Sequence, residues 1–151
     1  MTDPGSRSPD GAQVTVDLAA LGRNYETMRD KSGMAEAAAV IKADAYGLGM
    51  TQIVPKLLAM GCQSFFVALE KEGYAARDLA PDAVIYVLNG LPAGAAQNFA
   101  EAGLRPCLIS LEQIAEWHNY CLGHGASAGV GAMPGLAGST LPAVGSRCGI
   151  Q

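Results

Sequence analysis

The chain has 151 residues; half are hydrophobic, 16% are charged, and the formal net charge is −4. This is enough for one domain with a real core, and the composition excludes a disordered chain. An acidic chain without a basic cluster is not built for nucleic acid or an anionic membrane, and no apolar run approaches the ~20 residues of a membrane span.

The start, MTDPGSRSPDGA, is polar and lacks the apolar centre of a signal peptide, so residues 1–12 are expected to form a disordered arm. QVTVDL, residues 13–18, alternates apolar and polar and predicts a half-buried strand. Asp17 is placed to cap a helix over 18–30, with Leu18, Leu21, Tyr25 and Met28 on one face. The continuous apolar run in EAAAVIKA predicts a strand covered on both faces. A helix over 51–60 turns Ile53, Val54, Leu57 and Leu58 inward and stops at Gly61; Pro55 fits only near its first turn. SFFVAL is a strand and 70–79 a helix. VIYVL, 84–88, is a strand and 93–102 a helix. PCLI, 106–109, is a strand, after which Ser110 caps a helix containing Leu111, Ile114, Ala115 and Trp117, the tryptophan in the core.

Short strands alternating with helices of about ten residues are βα units on a parallel sheet. Four such units suit half of a (β/α)8 TIM barrel, although a doubly wound sheet has the same local rhythm. The pattern ends after Leu122. Residues 123–151 are rich in glycine and keep neither period; they read as a low-complexity tail or, preferably, as the product of a shifted reading frame. None of Cys62, Cys107, Cys121 and Cys148 forms a C-x-x-C pair. Buried reduced thiols, and with them a cytoplasmic setting, are the reading preferred over disulfides or metal.

The stretch AVIKADAYGLG, 39–49, carries the candidate chemistry. Lys42 falls at the C-terminal end of its strand, where barrel active sites lie, and a desolvated lysine suits imine chemistry with a carbonyl compound. A lysine snorkelling at a strand end has the same pattern. DAYGLG can form a turn in which Gly47 and Gly49 free backbone N–H groups beside a helix start and Tyr46 adds a hydroxyl, a place suited to phosphate. A turn with a packed tyrosine is the alternative. His118 and His124 have no partners at ligand spacing, so no metal is expected. GVGAMPG has neither a strand before it nor a helix pattern after it, and GLAGST lacks the lysine of a P-loop.

VTVDLAALGRNYETMR, AAAVIKADAYGLG, FFVALEKEG and IYVLNG follow one another in an order and at a spacing that resemble the N-terminal part of alanine racemase, over about residues 14–122. The resemblance implies pyridoxal 5′-phosphate held in a fold-type III barrel. It implies that Lys42 forms the internal aldimine and then serves as base on the D-alanine side, that Tyr46 hydrogen-bonds the cofactor phosphate, and that Leu88 lines the cofactor pocket. It implies alanine as substrate, D-alanine supply for peptidoglycan as role, and a homodimer for the full-length family. It also assigns the first strand to a second, β-rich domain. The D-T-G-M-x-R-L-G segment of the family, its further cofactor contacts, and the β-domain with the partner subunit's second base, a tyrosine, have no counterpart here. Residues 13–122 are therefore expected to be the first half of a barrel in a truncated, inactive racemase. A non-catalytic cofactor-binding half-barrel or subunit-association fragment is the alternative.

Overall fold

The computed structural model describes residues 14–124. The arm over 1–12 and nearly all of the tail over 123–151, with Cys148, lie outside them. The described chain runs α1 Leu18–Ser32, β1 Ala39–Val40, α2 Lys42–Tyr46, α3 Met50–Ala59, β2 Ser64–Val67, α4 Glu70–Leu79, β3 Val84–Val87, α5 Ala96–Glu101, β4 Leu104–Pro106 and α6 Leu111–Gly123. All strand pairs are parallel and the strands lie in sequence order, β1-β2-β3-β4.

The buried strand residues Phe65, Val67, Ile85, Val87 and Leu104 share one sheet face with Ile41 and pack against the helices. On the other face Val40 is 44% exposed, and Phe66 and Tyr86 are half-buried. A doubly wound sheet reverses its strand order and carries helices on both faces. Sequential order with helices on one face is the curvature of a barrel wall, so the barrel alternative holds and the chain forms four of its strands.

Asp17 caps α1 as its position predicts, with its carboxylate accepting from the Ala19 and Ala20 N–H groups at 2.8 and 3.0 Å. Other expectations need correction. Residues 14–17 form no strand; Val14 is 83% exposed, because no described strand lies beside them to complete a ladder. The β1 strand is short and covered on one face only. Pro55 sits in mid-helix, and α3 continues through it. The last strand begins at Leu104, not Pro106: Leu104 is 2% exposed and anchors it, whereas Ile109 is 67% exposed beyond its end. In α6, Leu111 and Ile114 face outward and no residue is fully buried; Trp117 and Tyr120 dock partly buried against the core. Of the cysteines, Cys62 is buried, while Cys107 and Cys121 are half-buried free thiols.

Two contacts set α4 against the sheet. The Arg77 guanidinium donates to the carbonyls of Ala80, Pro81, Ala83, Ala102 and Gly103, tying the helix end to the turn before β4. At the other end Gly73 lets the helix approach closely: a Cβ there would lie 2.9 Å from Leu104 Cδ1 and 3.4 Å from Val87 Cγ2. Leu104 is too well buried to swing aside. Gly73→Ala should therefore destabilise the fold by about 1–3 kcal/mol. Denaturant unfolding would read this as a lower midpoint at unchanged slope; a midpoint equal to that of the natural chain would refute the close approach.

Candidate functional site at the C-terminal end of β1

In parallel strands every C-terminal end lies on the same side of the sheet. Val40 pairs with Phe66, Phe66 with Tyr86, and Tyr86 with Arg105, so these four form one row across the open face. Phe66 and Tyr86 stack with centroids 4.7 Å apart. Arg105 donates to the Tyr86 hydroxyl at 3.2 Å and lies 5.6 Å from its ring centroid. Lys42, two residues beyond Val40, stands just past the C-terminal end of β1 and is half-buried. Ile41 between them is 1% exposed on the helix side, and its N–H still pairs with Phe66 O at 2.8 Å. Leu88, two residues beyond Tyr86, is half-buried at the same end, its N–H bonded to Val67 O at 2.9 Å. Lys42 and Leu88 thus each follow the C-terminal end of a strand, on one side of the sheet.

Immediately after Lys42 the backbone turns left-handed. Ala43, Asp44, Ala45 and Tyr46 have φ between 51° and 58°. None is glycine, and each such residue costs on the order of 1–2 kcal/mol. The turn is held from several sides. Ala45 N–H donates to Ile41 O at 2.9 Å, and the Asp44 carboxylate accepts from Met50 N–H at 2.7 Å. The Glu72 carboxylate accepts from Ala43 N–H at 2.8 Å.

This geometry corrects the expected phosphate cradle. The Gly47 N–H donates to Ala43 O and Asp44 O, and the Gly49 N–H to Asp44 O at 2.9 Å, so neither is free. The start of α3 is occupied by the Asp44 carboxylate, which repels a second anion there. What the turn offers is Tyr46, 62% exposed, with its hydroxyl available as a donor.

An apolar cavity of about 390 Å³ lies beside the free edge of β1, between that edge and α1. Tyr46 reaches its rim together with Val40 and Leu48; Lys42 does not line it. It is a gap at a sheet edge, separate from the lysine. Among the described residues no group of His, Cys, Asp and Glu could hold a metal, and no helix is long and apolar enough to cross a membrane.

The sequence reading missed Glu72 and Asp44. Glu72 looks like an ordinary acid in a first helical turn, and nothing local tells that its partner is 29 residues away. Burial alone would push its carboxyl up. The N–H groups of Leu69, Ala43 and Ala68, with Lys71 nearby, outweigh that and hold it below the ordinary glutamate value of 4.5. A depressed carboxyl stabilises the fold above the ordinary value, and the contribution vanishes as pH falls through the lowered one. The natural chain should thus lose more stability than Glu72→Gln between pH 6 and about 3 in thermal melts; parallel profiles would contradict this.

The profile of the family described as "Alanine racemase, N-terminal domain" matches residues 16–131. Alanine racemase from Methylobacterium sp. (strain 4-46) is 48% identical over 118 residues, which are 78% of this chain and 32% of that protein. The crystal structure of alanine racemase from Bartonella henselae with covalently bound pyridoxal phosphate is 36% identical at a TM-score of 0.70, covering 72% of this chain and 32% of the other. Histidine racemase from Leuconostoc mesenteroides is 26% identical at a TM-score of 0.64, covering 72% and 29%. The chain spans about a third of the length of the curated relatives it matches. Four sequential parallel strands under one helix layer, with VIKADAYGLG at the end of the first, agree with that match, and the chain belongs to the alanine racemase family.

Proposed function

We propose that this chain carries the cofactor-binding lysine of a pyridoxal 5′-phosphate-dependent alanine racemase, which interconverts L- and D-alanine in the cytoplasm to supply D-alanine for peptidoglycan. The observation that supports the proposal is Lys42 just past the C-terminal end of β1, followed at once by the left-handed turn that presents Tyr46. The donor set fits one end of the cofactor. Lys42 offers a primary amine for its aldehyde, Tyr46 a hydroxyl for its phosphate, and Leu88 and the aromatic row an apolar flank for its ring. Bound there, the cofactor supplies an electron sink that makes the α-proton of an amino acid removable.

The residues of the chain then have distinct tasks. The Lys42 Nζ is a nucleophile toward a carbonyl carbon and, once released, a base that takes or returns the α-proton on one side of the substrate. The Tyr46 hydroxyl donates to a phosphate oxygen and fixes the orientation of the phosphate end. Leu88 excludes water from the reacting side. Racemisation requires proton transfer on both sides of the α-carbon, so a second base is needed. The family resemblance assigns it to the β-rich domain of a partner subunit, in a homodimer. On this reading residues 13–122 are the first half of the barrel and supply one of the two bases. Alanine is favoured as substrate because the more similar relatives are alanine racemases.

The full chain mixed with pyridoxal phosphate should give a bound-cofactor absorbance, and borohydride should fix the cofactor on the peptide containing Lys42. Lys42→Ala should abolish both; equal labelling of that variant would overturn the assignment. Tyr46→Phe should weaken pyridoxal phosphate roughly tenfold and leave pyridoxal unchanged, as the loss of one hydrogen bond to a charged group predicts. Equal weakening of the two ligands would remove Tyr46 from the phosphate site.

A further inference from the structure

Three backbone donors from two separate loops converge on one side chain, Glu72. Its Oε1 accepts from Ala43 N–H at 2.8 Å; its Oε2 accepts from Ala68 N–H at 2.8 Å and Leu69 N–H at 3.0 Å. The last two bonds lie at the start of α4, whose N-cap position is Leu69, a side chain that cannot accept a hydrogen bond. They amount to ordinary helix capping. The bond to Ala43 does not: it crosses from α4 to the turn after β1. Ala43 directly follows Lys42 and is the first of the four left-handed residues.

We propose that Glu72 is a positioning residue for Lys42, tying the strained turn that carries the lysine to the loop after β2. The proposal rests on the reading of Lys42 as the cofactor lysine. A left-handed run of non-glycine residues persists only where its surroundings over-determine it. Here a charge-assisted bond secures the first residue of the turn, and the Asp44 bond to Met50 secures the far side. The close approach of α4 at Gly73, next in sequence, brings Glu72 within reach. The side chain must also be a carboxylate. Two oxygens facing N–H groups on both sides accept from all three donors, whereas an amide would turn its NH2 toward one of them. In Glu72→Gln the amide oxygen can serve α4 or Ala43, not both.

The test separates capping from positioning. It compares the natural chain, Glu72→Gln, and the double variant Leu69→Ser/Glu72→Gln, in which a serine restores an acceptor at the N-cap. The first readout is amide hydrogen exchange at Ala43, which involves no cofactor. The second is borohydride-fixed labelling of Lys42 by pyridoxal phosphate, counted against Lys31, Lys56 and Lys71 in the same sample. Positioning predicts that the double variant, its helix cap restored, melts above Glu72→Gln, yet exchanges Ala43 at least tenfold faster than the natural chain and loses most of its Lys42 selectivity. A double variant that recovers Ala43 protection and Lys42 selectivity along with its melt would make Glu72 a helix cap and overturn the proposal, as would Ala43 protection in Glu72→Gln equal to that of the natural chain. A natural chain without selective Lys42 labelling would instead overturn the cofactor reading, and the exchange at Ala43 would still decide the tie.

Discussion

The constraint on which the rest of the molecule depends is the parallel register of four strands under a single helix layer. Parallel pairing sends every strand end to one side, and covering one face alone leaves the other open. Together these set Lys42 and Leu88 just past C-terminal strand ends and leave the Phe66–Tyr86–Arg105 row on the face without helices. A one-residue slip of the register would turn the buried set Phe65, Val67, Ile85 and Val87 away from the helix layer. At the end of β1 the half-buried Lys42 avoids the cost of fully burying an unpaired ammonium.

Around that rim the chain accepts local strain. The left-handed turn after Lys42 contains alanine, aspartate and tyrosine where glycine would be cheaper. Its backbone groups are satisfied by the turn itself, by Asp44 and by Glu72. The inward pairing of the Gly47 and Gly49 amides leaves Tyr46 as the group the turn presents outward. Lys42 and Tyr46 thus stand on a backbone whose own donors are spent on holding its shape. The glycines serve geometry: at φ of 81° and 91° they release the chain from the left-handed turn into α3.

Much of this was legible along the chain. Asp17 and Ser110 stand where caps were expected, and α4 runs over the residues its pattern marks. These are local signals, set by hydrogen bonds within a few residues. The failures have a common cause. The strand expected in QVTVDL needs a neighbour, and none lies beside it among the described residues. The apolar run AAAVI predicts cover on both faces, yet Val40 on the face without helices is 44% exposed, since apolar residues also line the open side of this sheet. In α6, the tryptophan expected in the core docks only partly buried, together with Tyr120, while Leu111 and Ile114 stay exposed.

The amino-acid sequence by itself determined the βα rhythm, the caps, and the family through the lysine–tyrosine–glycine stretch, since each depends on residues close together in the chain. Only the tertiary structure decided between a barrel wall and a doubly wound sheet, because that choice lies in strand order and in which face the helices cover. Only the tertiary structure, too, brought Glu72 to Ala43. Their bond spans 29 residues and exists because parallel pairing of β1 with β2 sets the two strand ends side by side. No local pattern carries that information; it arises when the sheet closes.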